Sequence, residues 1–486
     1  MDNTYDIVII GGGAVGCAIA RELSKYRLKV AVAEKEPDVA CGTSGRNSAV
    51  VHAGFNNKPD SLMAKFCVEG NLHFEEYCQE LDVPYFKTGK LLVAFDKNDL
   101  ETLQGLYRQG ERNGCKGLFM LTAEELDRKA PYVKGIGAMF SSNTAIINPF
   151  LYTIALAENA HENGVEFLFN HELTGVNKEG DSYKLFFNNG LKETITARYV
   201  INSAGLYSDK VSQLFGINKY HIYPCRGQYL ILDKRISDLI DIPVYPAPRK
   251  GIGGLGIHVT PTSDGTVILG PSAEYIDDCD DYESTRDVID RLLDEASQLI
   301  PDIKRKYVIG QYTGIRSKQA PEAEGGFRDF TICAEEGTHL INLIGIESPG
   351  LTSSIPIARH VCSLVNQWIP LTETGTFIGK RKAPMRFRDL PDSEKERLIN
   401  QCPEYGEVVC RCEGVTKKEI KDAIENPLGT VTIAGIKNRT RCMTGRCQGG
   451  VCLANLTEIL INEYGYKPED IVYRSEESKY YTGRVK

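Results

Sequence analysis

At 486 residues the chain is long enough for about three domains and a sizeable core. Its 42% hydrophobic and 25% charged residues exclude wholesale disorder and a collagen-like or low-complexity chain. The 57 basic residues against 65 acidic ones leave a net charge of −8, which argues against nucleic acid or an anionic membrane as the main partner. The opening residues, MDNTYDIVIIGGG, carry no positive n-region, and no run reaches the roughly 18 apolar residues that a membrane-spanning helix needs. A cytoplasmic protein is therefore expected, one that meets a membrane only through a partner.

Residues 5–10, YDIVII, are a continuous apolar run, as in a buried parallel strand. GGGAVG follows at 11–16, then AIARELSKY with helical periodicity, then LKVAVAEK, a second apolar strand ending at Glu34. Strand, Gly-rich turn, helix, strand and acid is the order of a dinucleotide site. Gly11 permits the tight turn, Gly13 lets backbone approach a pyrophosphate, and Gly16 lets the helix pack on the strand. The helix start, with Ala14 and Val15, presents free N–H groups to phosphate. Glu34, followed by Lys35, stands where a carboxylate binds ribose hydroxyls, which suits an unphosphorylated ribose. This motif alone leaves FAD and NAD open.

Three further segments favour FAD. CGTSGRNSAVVHAGF, at 41–55, is a loop by composition and would run beneath a flavin. Thr43, Ser44 and Asn47 are its candidate hydrogen-bonders, and Arg46 and Ser48 are counted with them; simple turn chemistry is the competing explanation. ARYVINSAGLYSD, at 197–209, is a strand ending in Ala204 and Gly205, small enough for close approach to a cofactor. HLINLIGIESPGLTSSIPIARHVCSLV, at 339–365, runs a strand into Gly345, then a loop with Pro349 and Gly350, then a helix expected to open at Thr352 or Ser353. Gly350, Leu351 and Thr352 would bring that helix N-terminus to the cofactor, where it could stabilise negative charge.

The strings GGGAVG, SGRNSAVVHAGF, SAGLYSD, GLGIHVTP, YTGIRSK and GIESPGLT resemble the D-amino-acid-oxidase-like superfamily of FAD-dependent oxidoreductases. Within it they are most similar to anaerobic glycerol-3-phosphate dehydrogenase large subunits and L-2-hydroxyglutarate oxidases. The resemblance covers about 1–365 and implies an α/β fold: a Rossmann-type FAD-binding domain interleaved with an antiparallel α+β substrate domain. The FAD-type segments are 1–80, 150–215 and 310–365, and the substrate cap is 81–149 and 216–309. By resemblance alone, Leu173 offers backbone groups to adenine.

Four residues are candidates for the chemistry. His52 sits in a glycine-flanked loop, and imidazole suits removal of a hydroxyl proton while hydride leaves carbon. An orienting role, or a covalent histidyl link to flavin, competes with that. His258, in GGLGIHVTP, is either a second imidazole facing substrate or a structural histidine. Arg316, in YTGIRSK, resembles the family's grip on an anionic group, and its planar fork suits carboxylate or phosphate. Lys318, two residues on, could add charge on the same side of a strand. Arg46 and Arg249 are weaker candidates for contacting substrate.

Residues 366–405 read as a linker with a short helix at 392–401, and 406–486 as a small C-terminal domain. Six cysteines crowd into 402–452, which argues for a metal or redox site over a disulfide scaffold. Cys410, Cys412, Cys447 and Cys452 resemble the ligand set of bacterioferritin-associated-ferredoxin-type [2Fe–2S] domains, though the second pair is spaced by four residues. Structural zinc is the main alternative, and the role of Cys442 stays open. Arg411, Lys437, Arg439, Arg441 and Arg446 are expected to offset the cluster's negative charge.

Together these readings describe a dehydrogenase of a small anionic substrate. Flavin accepts two electrons, and a [2Fe–2S] cluster exports them singly to a second flavin subunit or other electron-accepting partner. Glycerol 3-phosphate is favoured narrowly over L-2-hydroxyglutarate, with an amino acid or opine third. A non-catalytic electron-transfer subunit is the competing class, and an NAD-dependent enzyme a further one.

Overall fold

The computed structural model describes residues 3–188, 194–248 and 256–483. The apolar run at the start becomes the strand Thr4–Ile10 at the centre of a parallel sheet. Val30–Ala33 flanks it on one side and Thr194–Asn202 on the other, both parallel. Leu340–Ile344 extends the parallel set beyond Thr194–Asn202, and Glu166–Leu168 closes the other edge. Strands buried on both faces need no polar alternation, which explains why these segments read as unbroken apolar runs.

The helices Ala14–Leu23, Leu62–Leu81, Pro149–Glu162 and Gly350–Val365 contribute to one hydrophobic core with this sheet. Close contact is built in at Gly70, where a Cβ would stand 2.0 Å from the Thr352 carbonyl oxygen. The last of these helices begins at Gly350, two or three residues earlier than the expected Thr352 or Ser353. The Gly350 N–H already finds the Glu347 carbonyl at 2.6 Å, so the turn closes before the first good capping side chain is reached.

The second sheet is the cap. Lys90–Ala94 pairs parallel with Val244–Pro246 and antiparallel with Gly137–Ser141. His258–Pro261, Val267–Gly270, Tyr223–Leu232 and Val308–Lys318 complete its larger half. The helix Arg286–Leu299 buries Val288, Leu292, Leu293, Ala296 and Leu299 against it. Sequence reading puts residues 310–365 with the dinucleotide fold, but the strand through Lys318 belongs to the cap sheet. Ten register pairs with Tyr223–Leu232 hold it there, and alternation within one strand carries no sign of which sheet it joins. The interleaving of two such bodies is the α/β arrangement expected from the sequence.

Residues 378–383 lie along the first body: Arg381 pairs with Glu158 at 2.5 Å, and the Asn159 amide donates to the Ile378 carbonyl at 2.9 Å. The helix Asp392–Gln401 falls where expected. Beyond it, Val408–Cys410 and the helices Lys417–Ile424, Ile433–Thr440 and Cys452–Asn462 enclose a separate core around Ile420, Ile433, Ile436 and Leu456. Among the described residues no helix is long and apolar enough to cross a membrane.

This C-terminal module docks through ion pairs. Arg439 pairs with Asp38, Arg441 with Asp264 at 2.8 Å, Arg446 with Asp233 at 2.7 Å, and Lys234 with Glu413 at 2.7 Å. Three arginines expected to balance a cluster thus spend their charge on acids of the oxidoreductase body. Those acids come from distant loops, so sequence proximity to the cysteines was a poor guide to the partner. Arg439 and Asp38 are both almost fully buried, and removing one partner of such a pair strands the other charge. Arg439→Met should therefore weaken docking by about 3 kcal/mol. Calorimetry should show the first thermal transition moving down; an unchanged transition would mean that the apolar contacts alone seat the module.

Candidate active site

One cavity of about 1460 Å³ joins the Gly-rich turn to the cap. That exceeds the space a single small ligand needs and matches a dinucleotide with a small substrate beside it. At one end lie Gly11, Gly13, Ala14, Val15, Glu34, Lys35 and Leu173; Ala204, Gly205, Gly350, Leu351 and Thr352 follow. His52, His258, Arg316 and Lys318 line the same cavity. Most of the residues singled out from sequence therefore meet in one place. Arg249, with residues 253–255 of the GGLGIHVTP string, lies outside the described residues.

The Gly-rich turn is built as the motif requires. A Cβ at Gly16 would sit 2.0 Å from the Gly11 carbonyl oxygen, and one at Gly11 would sit 2.5 Å from that of Ser203. Gly11 also holds a φ of 108°, which disfavours any side chain. Gly16 itself packs helix on strand and does not line the cavity. Glu34 accepts from the Gly12 N–H at 2.5 Å and the Glu36 N–H at 2.9 Å. Burial pushes its carboxyl up to about 7 even so, with those two bonds opposing the rise. Lys35 lays its ammonium over the Tyr207 ring at 3.8 Å.

The loop from 41 to 55 divides its labour. Ser44 accepts from the Ala14 N–H at 2.9 Å and so braces the helix start. The Thr43 hydroxyl donates to the Ile315 carbonyl at 2.8 Å. The Asn47 amide donates to the Ser44 carbonyl at 2.7 Å and its oxygen accepts from the Ala49 N–H at 2.8 Å. The side chains of Thr43 and Asn47 are thus engaged in holding the loop. Arg46 donates to the Thr313 carbonyl at 3.0 Å and stacks over Tyr282, yet its buried Nε has no partner. The glycine cradle, the ribose-type acid and this idle donor all fit a dinucleotide cofactor.

The Ser48 hydroxyl lies 3.3 Å from both the His258 Nε2 and the Tyr229 hydroxyl. His258 is fixed on its other side by Thr260 at 2.8 Å from Nδ1, and its ring stacks on Tyr245 at 4.0 Å. Burial holds its pKa well below the ordinary value, so it is a neutral, fully tethered imidazole. The His52 N–H donates to the Thr352 hydroxyl at 3.0 Å, tying its loop to the helix Gly350–Val365. Burial lowers its pKa to about 3, with the charge of Lys90 acting in the same direction. Arg316 donates to the Ser272 carbonyl at 3.2 Å and leans on the Cys225 thiol. No carboxylate pairs with it among the described residues, so most of its five N–H donors stay free. Lys318 differs: it forms an ion pair with Glu347 at 3.0 Å and donates to the Gly326 carbonyl at 2.9 Å. Its charge is answered inside the protein.

Glu347 and Lys90 are among the lining residues that escaped sequence reading. Glu347 sits in the quoted string GIESPGLT, where an acid among small residues was a usable signal. Lys90 opens the strand KLLVA and reads as an ordinary polar strand end.

In the C-terminal module the Cys412 and Cys447 sulfurs are 3.7 Å apart, and a hydrogen bond from Cys452 is the main cause pulling the Cys410 thiol down to about 6. Cys412 and Cys447 thus meet as one pair and Cys410 and Cys452 as another, four thiols that would hold a [2Fe–2S] cluster. The Cys442 thiol stays out of both pairs: burial pushes it up to about 12 and its nearest polar neighbour is Thr440.

Comparison with known proteins agrees with this geometry. The FAD dependent oxidoreductase family matches residues 6–364, and the BFD-like [2Fe-2S] binding domain matches residues 408–462. A "Glycerol 3-phosphate dehydrogenase" of Caloramator mitchellensis is 37% identical over 486 residues, covering 99% of each chain. Human "L-2-hydroxyglutarate dehydrogenase, mitochondrial" is 33% identical over 414 residues, covering 75% of this chain and 89% of that protein. The solved structure of reduced, FAD-bound L-alpha-glycerophosphate oxidase from Mycoplasma pneumoniae superposes with a TM-score of 0.73 at 30% identity. It covers 79% of this chain and 99% of its own.

Gly314 supplies a test of how tightly the cavity is specified. A Cβ there would stand 1.9 Å from the Arg46 carbonyl oxygen, whereas one at Gly105 meets nothing within 4 Å. Gly314→Ala should purify with most of its flavin lost, by the ratio of visible to protein absorbance, while Gly105→Ala keeps it. Full flavin in both would show that the loop under the cofactor can yield.

Proposed function

The chain belongs to the FAD dependent oxidoreductase family, and from that premise we propose that it is a dehydrogenase of a small anionic secondary alcohol, with glycerol 3-phosphate favoured. The observation that carries this reading is the shared cavity, in which a dinucleotide cradle opens onto an unpaired arginine and a neutral histidine. The whole-length likeness to a glycerol 3-phosphate dehydrogenase, C-terminal module included, supports the substrate. L-2-hydroxyglutarate is the second reading, because the likeness to that dehydrogenase is nearly as strong over the oxidoreductase body.

Bound FAD supplies the hydride acceptor, and a cluster held by Cys410, Cys412, Cys447 and Cys452 supplies a one-electron acceptor. Gly11, Gly13 and the helix start behind them hold the pyrophosphate, Glu34 the ribose. Arg316 grips the substrate's anion with the donors that Ser272 and Cys225 leave free. His52 takes the hydroxyl proton at a ring nitrogen. Its low pKa keeps it unprotonated, and an anion bound nearby raises its basicity at the moment it is needed. His258 is too fully tethered to move a proton freely, and it positions Ser48 instead. Electrons then leave for a second flavin or other electron-accepting subunit, met near the exposed Cys412.

Anaerobic mixing of the holoenzyme with each substrate tests this directly. Glycerol 3-phosphate should bleach the flavin within the turnover time, and L-2-hydroxyglutarate far more slowly; the reverse order would install the second reading. Bleaching by neither would point to an electron-transfer subunit. His52→Gln should slow bleaching by about 100-fold or more at unchanged flavin content. Because His52 in the free enzyme is unprotonated above about pH 3, kcat/KM should show no acid-side fall from this group across pH 5–8. Cys410→Ser should abolish the cluster's electron-paramagnetic signal and leave flavin bleaching by substrate intact.

A further inference from the structure

Lys90 is a lysine where none should be comfortable. It is 1% exposed, yet it lines the cavity. Its Nζ stands 4.6 Å from the Phe55 ring centroid and 4.6 Å from that of Tyr245. Among the described residues it has neither a carboxylate partner nor a hydrogen-bond acceptor. The strand Lys90–Ala94 is held between Val244–Pro246 and Gly137–Ser141, which fixes the backbone from which the side chain rises. A buried cation without a counter-ion is costly, and two aromatic faces offset only part of that cost. The elements around it bring His52, Cys67, Cys115, Tyr245 and His258, all uncharged at neutral pH, and Arg316, which is positive. Among the described residues no carboxylate answers the charge.

We propose that Lys90 is a second cationic anchor of the substrate site, completed by a bound dianion. The inference rests on the reading of this cavity as the site of a small anionic alcohol, and it narrows the class. With Arg316 and Lys90 both facing one cavity, a ligand with two negative charges is favoured over a monoanion. A phosphate monoester and a 2-hydroxydicarboxylate share that chemistry; lactate, glycerate and the zwitterionic amino acids lack it. The aromatic rings keep water away from the ammonium and so strengthen its pull on an anion.

Burial lowers the Lys90 pKa to about 7, and an anion beside it would raise that value. Dianion affinity should therefore be full below about pH 7 and fall as pH rises through it. The neighbouring groups do not share this range: burial takes His52 to about 3, holds His258 well below its ordinary value, takes Cys115 to about 11, and drives Cys67 and Tyr245 higher still.

The test uses anion binding to the oxidised holoenzyme, read by perturbation of the flavin spectrum. Sulfate serves as a dianion whose charge is constant between pH 6 and 9, and L-lactate as a monoanion. Lys90→Met keeps the stem and removes only the charge, so it should fold at least as well as the parent. It should raise the Kd for sulfate about tenfold or more, and that for L-lactate less than about twofold. The parent should lose sulfate affinity between pH 6 and 9, and Lys90→Met and Lys90→Gln should not. Equal losses for sulfate and lactate, or a parent profile flat with pH, would overturn the anchor. The pH profile of the parent needs no variant, so a poorly folding substitution leaves the proposal open to refutation. Failure of the underlying reading looks different: no substrate would bleach the flavin, while sulfate binding would still depend on Lys90.

Discussion

The packing of Gly314 against the Arg46 carbonyl is the constraint on which the rest of the site depends. The strand Val308–Lys318 is a cap strand, held to Tyr223–Leu232 over its whole length. At Gly314 it presses on the loop that runs under the cofactor, so closely that a single methyl group would collide. Cap and dinucleotide fold are thereby joined backbone to backbone. The same strand carries Arg316 into the cavity two residues further on and anchors Lys318 to Glu347. Towards its start, Gly310 lies against the Gln448 side chain of the cysteine module. One strand thus sets the positions of Arg316, the 41–55 loop and the module at once. Two packed sheets resist deformation along their strands, which makes this element a suitable ruler.

Electrostatics divides the molecule into two kinds of charge. Charges at the module interface are matched: Asp38, Asp233, Asp264 and Glu413 each meet a basic partner across it. Matched buried pairs add little net stability, but they penalise any misplaced docking. Charges in the cavity are unmatched. Arg316 and Lys90 form no ion pair among the described residues, and the two histidines are held neutral by burial. The exception is Lys318, whose pairing with Glu347 removes one cation from the cavity's account. Around His52, His258, Arg316 and Lys90 the cavity offers two cations without an ion-pair partner beside two neutral imidazoles, a combination that suits an anion.

Much of this was legible in the sequence because it is local. The turn Gly11–Gly16 and the strands around it are specified by neighbours in the chain, and Glu34 follows at a spacing set by one helix and one strand. The four cysteines are legible from their local spacing, but their contacts run between the two motifs, Cys412 meeting Cys447. What escaped depends on tertiary partners. Thr43 and Asn47 line the cavity, and their side chains also bond nearby backbone, which sequence alone does not reveal. Arg439, Arg441 and Arg446 lie beside the cysteines in sequence yet point to acids between 177 and 401 residues away. Residues 310–318 read as part of the dinucleotide fold, yet their strand pairs with Tyr223–Leu232 in the cap. Lys90 was invisible, because a lysine before an apolar run usually marks a solvated strand end.

The separation of tasks within the cavity follows from the same burial that hides it. A proton acceptor must be uncharged before reaction and an anion anchor must be charged, and the two demands conflict when the groups are adjacent. Desolvation alone would neutralise both kinds. The structure resolves the conflict by residue type: an arginine keeps its proton under burial that strips a histidine, because its ordinary pKa lies so much higher. Lys90 falls between them, buried enough to hover near neutrality and released from that balance only by an anion. Substrate charge would then complete the site's electrostatics, and the neutral imidazole at His52 would gain basicity from the same event. Selection for a charged substrate and readiness of the base become one physical consequence of placing cations in a dry pocket without counter-ions.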